Sequence, residues 1–372
     1  MVRVSNWIPY VDLARQWQEE REFLLPIIDK ALSSGQWVLG PEVEILEAEL
    51  ADYCGVAHAV TLNSGTDALV CGLRAMGIGK GDEVITPANS FIASTSAILH
   101  AGAKPVFVDV GPDQNLNVAI LDQLVTDRTR AVMPVHLTGR MSDMVSLQSF
   151  AERHGILIIE DAAQAIGAER EGRRSGASGT IGCFSTHPLK NLNAVGDGGF
   201  LVTNDEAIAE NVRLMRSHGL IDRDTAVSFG FVSRMDTVQA AVLSFRLKGL
   251  MSLIARRRQI AHYYEDALQN SDVFYVAERP EEFNTYHTFV VQVDDRDGVR
   301  KRMLAAGVQT SVHYLRPIHL QPAAQDRQLA AECPVVESQA GRILSLPVNQ
   351  FLTDDDAERV VATLLDAVGR SE

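Results

Sequence analysis

The chain has 372 residues, of which 46% are hydrophobic and 22% charged, and this ordinary globular composition excludes bulk disorder. Its 34 lysines and arginines against 48 aspartates and glutamates give a net charge of −14, which disfavours binding to nucleic acids or to anionic lipid surfaces. No apolar run approaches about 18 residues, and no basic start precedes one, so we expect no membrane span, no signal peptide and a cytoplasmic protein.

Short apolar segments alternate with helical patterns between about residues 55 and 219. Predicted strands cover 58–62, 83–86, 105–109, 130–136 and 156–160, and predicted helices cover 66–76, 91–100 and 144–154. This alternation is typical of a mainly parallel sheet flanked by helices, an α/β fold. Ligands of such sheets bind at the carboxyl ends of the strands, so we expect functional residues to follow strands.

The pattern changes after residue 219. A long helical stretch begins at Asp236 and runs towards Leu268, passing the basic run Arg256–Arg258. Strand-like segments at 288–293 and 308–314 and helical segments at 299–306 and 356–368 follow, which indicates a smaller α+β domain. We place the boundary near residue 250, with an N-terminal segment and large domain at 1–250 and a small domain at 251–372.

Metal chemistry has little support in the sequence. The cysteines Cys54, Cys71, Cys183 and Cys333 form no CxxC pair, and the ten histidines are scattered. A zinc ribbon and a thioredoxin-like motif are therefore excluded, and we predict no metal site.

The segment 63–68, NSGTDA, joins a predicted strand to a predicted helix. Gly65 permits close backbone approach, and the free N–H groups at the start of a helix bind phosphate well. The alternative is that Ser64 and Asp67 form only a capping box.

Two further segments each present an ionisable group after a strand. Asp161 follows the strand-like run IIE, where a buried carboxylate requires a cation or a donor; its alternative roles are a helix cap or a structural ion pair. Lys190 lies in a polar turn before the glycine-rich GDGG at 196–199; its alternative role is a solvated surface charge. A lysine held in a site loses its proton more readily and forms Schiff bases.

These three segments require one ligand that carries a phosphate, a group that pairs with a carboxylate, and a carbonyl that reacts with an amine. Pyridoxal 5′-phosphate has all three.

The sequence also resembles the sugar aminotransferases of the DegT/DnrJ/EryC1/StrS family, which are fold-type I pyridoxal-phosphate enzymes. The resemblance runs nearly end to end, and the order and spacing of the motifs make it specific. The motifs include WVLGPEVEILEAELADYCG (37–55), NSGTDAL (63–69), GDEVITPANSFIASTSAI (81–98), PVHLTGRMSDM (134–144), IEDAAQAIGA (159–168), CFSTHPLKNLNAVGDGG (183–199), SRMDTVQAAVL (233–243) and HYLRPIH (313–319).

The resemblance implies a role for each matching residue. Lys190 forms the Schiff base with the cofactor and moves protons, and Asp161 pairs with the pyridine nitrogen. Gln164 lies near the ring hydroxyl, and Phe91 stacks on the ring. The phosphate is held by Gly65, Thr66, Asp67 (through its backbone) and Ser185. The substrate side is lined by His187, Arg234, His313 and Tyr314.

Two positions depart from the family pattern. The family commonly has an aromatic residue at the position of His187, so this histidine is expected to contact the substrate differently. An asparagine that reaches the neighbouring subunit's cofactor phosphate is often found where this chain has Val232. Ser233 is a candidate substitute for that contact.

The resemblance implies an aminotransferase that moves an amino group from glutamate to the keto group of a nucleotide-linked deoxy-ketosugar, with pyridoxamine 5′-phosphate as the intermediate form of the cofactor. It also implies a homodimer. The alternatives are a ketocyclitol aminotransferase, a sugar dehydratase that uses the amine form of the cofactor, and a catalytically silent regulatory homologue. The dehydratases of this family place histidine where this chain has Lys190, so Lys190 favours transamination.

Overall fold

The computed structural model describes residues 7–369 of the chain. Its helices are α1 Leu13–Ser33, α2 Pro41–Cys54, α3 Gly65–Ala75, α4 Ile92–Ala101, α5 Met144–His154, α6 Glu206–Met215, α7 Thr237–Leu268, α8 Arg296–Ala305, α9 Pro322–Gln325, α10 Pro334–Arg342 and α11 Asp354–Gly369. Its strands are β1 His58–Leu62, β2 Glu83–Pro87, β3 Lys104–Val108, β4 Thr129–Val132, β5 Leu157–Asp161, β6 Glu169–Arg170, β7 Arg173–Arg174, β8 Ile181–Ser185, β9 Gly199–Thr203, β10 Phe274–Tyr275, β11 Glu282–Phe283, β12 Phe289–Gln292 and β13 Ile343–Leu346.

The main sheet has seven strands in the order β1-β9-β8-β5-β4-β2-β3. Five neighbouring strands of this sheet, β8, β5, β4, β2 and β3, are parallel to one another, whereas β9 is antiparallel to both of its neighbours, β1 and β8. The prediction of a mainly parallel sheet flanked by helices is confirmed. The order also brings the ends of β5 and β8 side by side, and these ends carry Asp161 and Ser185.

Both faces of the sheet are covered by helices. Successive strand residues point to opposite faces, so Val60 packs in one core with α3, α4 and α6, while Ala59 packs in the other with α2 and α7. The tight contact at Gly72 shows how closely α3 approaches: a Cβ there would lie 2.3 Å from the Ile181 Cδ1 atom.

Most of the predicted elements lie within one or two residues of the observed ones, and the helix at 144–154 agrees at both ends. The strand predicted at 130–136 is shorter than expected and ends at Val132. The strand predicted at 308–314 is wrong. Val308 and Ser311 form isolated bridges with Ile8 and Ser345, two different partners, so no continuous ladder develops.

The C-terminal part has its own hydrophobic core around the sheet β10-β12-β13. Helices α8 and α11 contribute to this core, as do Ile8 and the second half of α7 through Ile260 and Tyr264. The first half of α7, through Leu243 and Leu247, packs in the core of the main sheet. Helix α7 therefore takes part in both cores, and the domain boundary near residue 250 stays a prediction.

Helix α7 is long and apolar enough to cross a membrane by length and composition alone. Its buried residues pack against α1, α2 and α11, and several lie in the two cores just described. This packing is that of a core helix.

Candidate active site

A cavity of about 360 Å³ lies at the carboxyl ends of the parallel strands. Its wall includes these residues predicted for the site: Gly65, Thr66, Phe91, Asp161, Gln164, Ser185, His187, Lys190, His313 and Tyr314. The two other predicted residues, Asp67 and Arg234, are not part of this wall. The fold thus gathers residues that are up to 249 positions apart in the sequence, from Gly65 to Tyr314.

The N-terminus of α3 forms one end of the cavity. The Ser64 hydroxyl accepts a hydrogen bond from the Asp67 amide at 3.1 Å, so the capping alternative considered for this segment describes a real contact. A Cβ on Gly65 would lie 2.7 Å from the Ser185 Cβ, and only glycine lets α3 begin this close to β8. Capping uses the Asp67 amide and leaves the earlier amides of the helix for an anion.

Asp161 is the last residue of β5 and is only 4% exposed. Its Oδ2 accepts a hydrogen bond from the Ser94 hydroxyl at 2.6 Å, and its Oδ1 accepts one from the Ala163 amide at 3.2 Å. Burial raises the pKa of this carboxyl, against the opposing effects of these bonds and of Lys190. Asp161 caps no helix and forms no salt bridge within 4 Å among residues 7–369, so a cationic group in the cavity would supply its missing counter-charge.

Lys190 lies in the turn after β8, where its backbone amide donates to the His187 carbonyl at 2.8 Å. Its side chain is partly buried at the cavity rather than solvated as in the alternative interpretation. Burial lowers the pKa of the Lys190 amine to about 8, although the charge on Asp161 opposes this shift. A larger fraction of this amine is therefore neutral near pH 7 than for an ordinary lysine.

Aromatic and amide side chains border the space between Asp161 and solvent. The Phe91 side chain is 55% exposed, and its ring centroid lies 5.5 Å from that of Tyr314. Gln164 accepts a hydrogen bond from the Thr138 amide at 2.9 Å and donates one to the Tyr314 hydroxyl at 3.2 Å. These contacts fix the Gln164 amide and the Tyr314 ring relative to each other.

His313 also lines the cavity, and its ring centroid lies 5.3 Å from that of Tyr314. Its Nδ1 is 2.9 Å from the Ser345 hydroxyl, and burial together with the charge on Lys190 lowers its pKa to about 4. His313 is therefore neutral at physiological pH. His187 is exposed at the cavity edge, and its Nδ1 accepts a hydrogen bond from the Leu189 amide at 3.3 Å.

Several residues of this wall were not expected from the sequence, and three of them carry polar groups that matter below: Ser94, Arg257 and His287. Ser94 follows Phe91 by three positions, so one turn of α4 presents both residues to the cavity. Arg257 is the middle residue of the basic run in the long helix, and its helical spacing from the apolar Leu250 and Ile254 on one stripe was the available signal. Nothing in the local sequence distinguishes His287.

The hypothesis that Ser233 replaces the cross-subunit asparagine is not supported by its position. Ser233 is fully buried, and its hydroxyl donates to Asn63 Oδ1 of the same chain at 3.1 Å. Val232 is exposed. Since the Ser233 hydroxyl faces inward, it is not available to a neighbouring subunit.

The residues present fit pyridoxal 5′-phosphate. The cavity combines an anion-binding helix start beside Ser185, a buried carboxylate without a cationic partner, an amine of lowered pKa, and an exposed phenylalanine ring that a flat ligand would cover. No group of three or more potential metal ligands occurs within the described part of the chain, 7–369.

Comparisons with known proteins point to one family. The model of the DegT/DnrJ/EryC1/StrS aminotransferase family matches residues 18–365. The chain is 42% identical to the dTDP-3-amino-3,4,6-trideoxy-alpha-D-glucose transaminase of Streptomyces venezuelae, covering 95% of this chain and 94% of that protein. It is also 42% identical to the erythromycin biosynthesis sensory transduction protein EryC1 of Saccharopolyspora erythraea, covering 96% and 98%. The crystal structure of S. venezuelae DesV in complex with a ketimine intermediate superposes with a TM-score of 0.96 at 40% identity, covering 99% of this chain and 100% of that one.

Proposed function

The chain belongs to the DegT/DnrJ/EryC1/StrS aminotransferase family, and from this premise we propose that it transfers an amino group from glutamate to a keto group of a nucleotide-linked deoxy-ketosugar. It is a pyridoxal-phosphate-dependent aminotransferase of amino-sugar biosynthesis. The observation that carries the proposal is the meeting of Lys190 and Asp161 in one cavity, where each affects the other's pKa.

Pyridoxal 5′-phosphate, when bound, supplies a reactive aldehyde and a ring that accepts electrons. We assign its phosphate to the α3 start, where the Gly65 and Thr66 amides and the Ser185 hydroxyl suit an anion. The Asp67 amide, which donates to the Ser64 hydroxyl, contributes to this contact only if the capping bond is exchanged for one to the phosphate. We assign its ring to the space bordered by Phe91, Asp161 and Gln164.

In this proposal Lys190 is the residue that removes and returns protons. Its amine must be neutral to accept a proton, and burial increases the neutral fraction. The same amine serves both halves of the reaction, since one cavity receives the amino donor first and the keto acceptor second. Ping-pong kinetics are therefore expected.

Asp161 holds a proton on the ring nitrogen in this proposal. A carboxylate that is buried and held by Ser94 and Ala163 presents a fixed negative charge to a cationic partner. His187, His313 and Tyr314, together with Arg234 outside the cavity wall, remain the candidates for substrate contacts.

We also propose a homodimer in the cytoplasm. Several large apolar side chains are exposed in the single chain, among them Phe23, Trp37, Leu189, Val195 and Phe229. Leu189 belongs to the cavity wall, so a surface covered by a second copy would adjoin the site.

The alternatives differ in what they require of residue 190. The structure neighbours and relatives include named sugar aminotransferases, which favours transamination over a dehydratase. Two relatives carry the names of a sensory transduction protein and a pleiotropic regulatory protein. A silent regulator has no chemical use for an amine and a carboxylate in one cavity. An assay with both classes of acceptor distinguishes a ketocyclitol aminotransferase from a nucleotide-sugar aminotransferase.

The test is an amine-transfer assay with labelled glutamate against a panel of nucleotide-linked 3-keto and 4-keto sugars and ketocyclitols. The purified protein is expected to be yellow and to bleach when glutamate is added. Lys190→Ala is expected to abolish transfer, because among residues 7–369 Lys190 is the lysine that lines the cavity with Asp161. Normal turnover of this variant would refute the assignment, and protein that stays colourless with added cofactor would favour the silent regulator.

A further inference from the structure

One wall of the cavity contains a buried arginine whose hydrogen bonding is incomplete. Arg257 is 6% exposed, and its Nη1 donates to the carbonyls of Tyr286 and His287, each at 3.2 Å. Its Nη2 is 3.4 Å from Gln350 Oε1, and its Nε has no hydrogen-bond partner among residues 7–369. A buried N–H without a partner is costly, so this edge of the guanidinium is suited to an added acceptor.

The neighbouring arginines of the same helix show what Arg257 lacks. Arg256 pairs with Asp354 at 2.9 Å, and Arg258 pairs with Glu278 at 2.5 Å. Arg257 forms no salt bridge within 4 Å in the described range 7–369, although it is the most buried of the three. Burial accordingly lowers its pKa to about 10. Among these three arginines, the one that faces the cavity is the one without a carboxylate.

His287 adds a second unsatisfied group on the same wall. Its Nδ1 is buried and has no hydrogen-bond partner among the described residues. Burial and the charges of Lys190 and Arg257 lower its pKa well below the usual range, so the ring is neutral. His287, Lys190 and Arg257 all line the same cavity.

Resting on the proposed function, we propose that Arg257 and His287 form a subsite that receives a carboxylate group of the amino donor. The cofactor phosphate is assigned to the start of α3 and the end of β8. Arg257 lies on α7 and His287 in a loop, so the two proposed anion sites are on different elements. A planar carboxylate matches two adjacent N–H groups of a guanidinium. Because Arg257 and the His287 Nδ1 are buried, a small group suits this part of the wall better than a nucleotide diphosphate does. A carboxylate held here would also bring the donor's amino group towards Lys190.

The experiment measures ligand binding to the holoenzyme by calorimetry, with succinate as an unreactive dicarboxylate and UDP or dTDP as the nucleotide probe. The variants are Arg257→Met, Arg257→Lys and His287→Gln. The matched control is Arg256→Met, one position earlier on the helix and outside the cavity wall. Thermal unfolding of each variant and the glutamate-dependent bleaching of the yellow form are recorded alongside.

We expect Arg257→Met to weaken succinate binding, and the glutamate dependence of bleaching, by roughly 100-fold, because a hydrogen-bonded charge pair is lost. Arg257→Lys retains the positive charge but lacks the two adjacent N–H groups of the guanidinium, so we expect a smaller loss of succinate binding. We also expect a smaller loss of succinate binding in His287→Gln. Nucleotide binding should stay within about threefold in every variant. The control variant Arg256→Met should bind both succinate and the nucleotide with unchanged affinity.

Three results would overturn the proposal. If nucleotide binding is lost and succinate binding is kept, the arginine serves a diphosphate. If the affinities for both ligands fall equally and the unfolding temperature falls, the role of Arg257 is only structural, through its hydrogen bonds to the Tyr286 and His287 carbonyls. If wild-type holoenzyme does not bind succinate up to about 10 mM, above the usual range of KM values, no such subsite exists.

Failure of the proposed function gives a different result. Succinate binding that depends on Arg257, in a protein that glutamate and other amino acids never bleach, would leave the subsite intact and refute the transaminase. Equal bleaching by glutamate in wild type and in Arg257→Met would support the transaminase and refute the subsite.

Discussion

At the ε-amine of Lys190, burial and charge act in opposite directions. Burial disfavours the ammonium form, while the Asp161 carboxylate favours it, and burial has the larger effect, so the pKa is about 8. At pH 7 about one such amine in ten is neutral, against about one in three thousand for a lysine with the ordinary pKa of 10.5. The reactivity of this lysine thus comes from its surroundings.

The rate at which the apo protein takes up pyridoxal 5′-phosphate should therefore depend on pH. Because the neutral amine is the nucleophile, the rate should rise with pH and level off above a midpoint of about 8. Stopped-flow absorbance between pH 6 and pH 10 measures this midpoint. A midpoint near the ordinary lysine value would mean that the amine is solvated when it reacts.

Ser94 is predicted to position Asp161. Its hydroxyl donates to Asp161 Oδ2 at 2.6 Å and lowers the pKa of that carboxyl. In Ser94→Ala the pKa of Asp161 should rise further, and the loss of a bond to a charged group, about 1.5–3 kcal/mol, should weaken cofactor binding by roughly 10- to 100-fold. The loss should grow as the pH falls, since more Asp161 is then protonated.

The matched control for this prediction is Thr95→Val. Thr95 is the next residue of α4, is equally buried, and has a hydroxyl without a hydrogen-bond partner among the described residues. Cofactor titrations of both variants at several pH values measure the effect. Equal affinities of Ser94→Ala and Thr95→Val would show that the Asp161 contact is unimportant.

At the scale of elements, the site depends on the close contact between the start of α3 and the end of β8. Gly65 is the residue that permits it, since a Cβ there would lie 2.7 Å from the Ser185 Cβ and 3.0 Å from its Cα. Backbone atoms cannot yield as a flexible side chain can. The element pair, rather than either residue alone, forms the anion-binding end of the cavity.

Gly65→Ala is accordingly expected to displace the α3 start and to reduce cofactor affinity by at least tenfold, measured by absorbance titration, and to lower stability by about 1–3 kcal/mol. The control is Gly249→Ala on α7, where a Cβ meets no atom of residues 7–369 within 4 Å. That variant should gain about 0.5–1 kcal/mol in the free energy of unfolding, because alanine is the better helix former. Unchanged cofactor binding in Gly65→Ala would contradict the proposed phosphate cradle.

At the scale of the whole molecule, the net charge of −14 differs from the local charge of the cavity. The cavity wall contains the cationic groups of Lys190 and Arg257, and its buried carboxylate is that of Asp161. Overall charge describes the outer surface, whereas the ligand meets the local charge, so an acidic protein can still bind anionic ligands. Its large exposed apolar side chains are the second global feature. A contiguous patch of such side chains is typical of a surface that another chain covers.

We predict that the protein sediments as a dimer and that Phe229→Ser weakens this dimer. The Phe229 side chain is fully exposed in the single chain, so the variant should shift the monomer–dimer equilibrium by about 1–3 kcal/mol while leaving the folded monomer intact. Analytical ultracentrifugation over a concentration series measures the shift. Val145→Ser, an exposed position at the start of α5, is the control. A wild-type monomer at all concentrations would reject the dimer.

Local patterns in the sequence determined much of this protein. Alternating strands and helices predicted the parallel sheet, and motif order identified the family, because short buried strands and glycine turns have strong local signatures. The strand wrongly predicted at 308–314 shows the limit of such patterns, since Val308 and Ser311 there form bridges with two different partners. The antiparallel β9 also depended on a partner distant in sequence, since it pairs with β1 as well as with the preceding β8.

Only the tertiary structure decided how the site is assembled. It brought Ser94 from α4, Arg257 from α7 and His287 from a loop to the cavity that contains Lys190 and Asp161. It also turned Ser233 inward, against its expected role. The physical reason is that burial and hydrogen bonding between distant segments set the pKa and the orientation of each group, whereas a sequence motif records only neighbours along the chain.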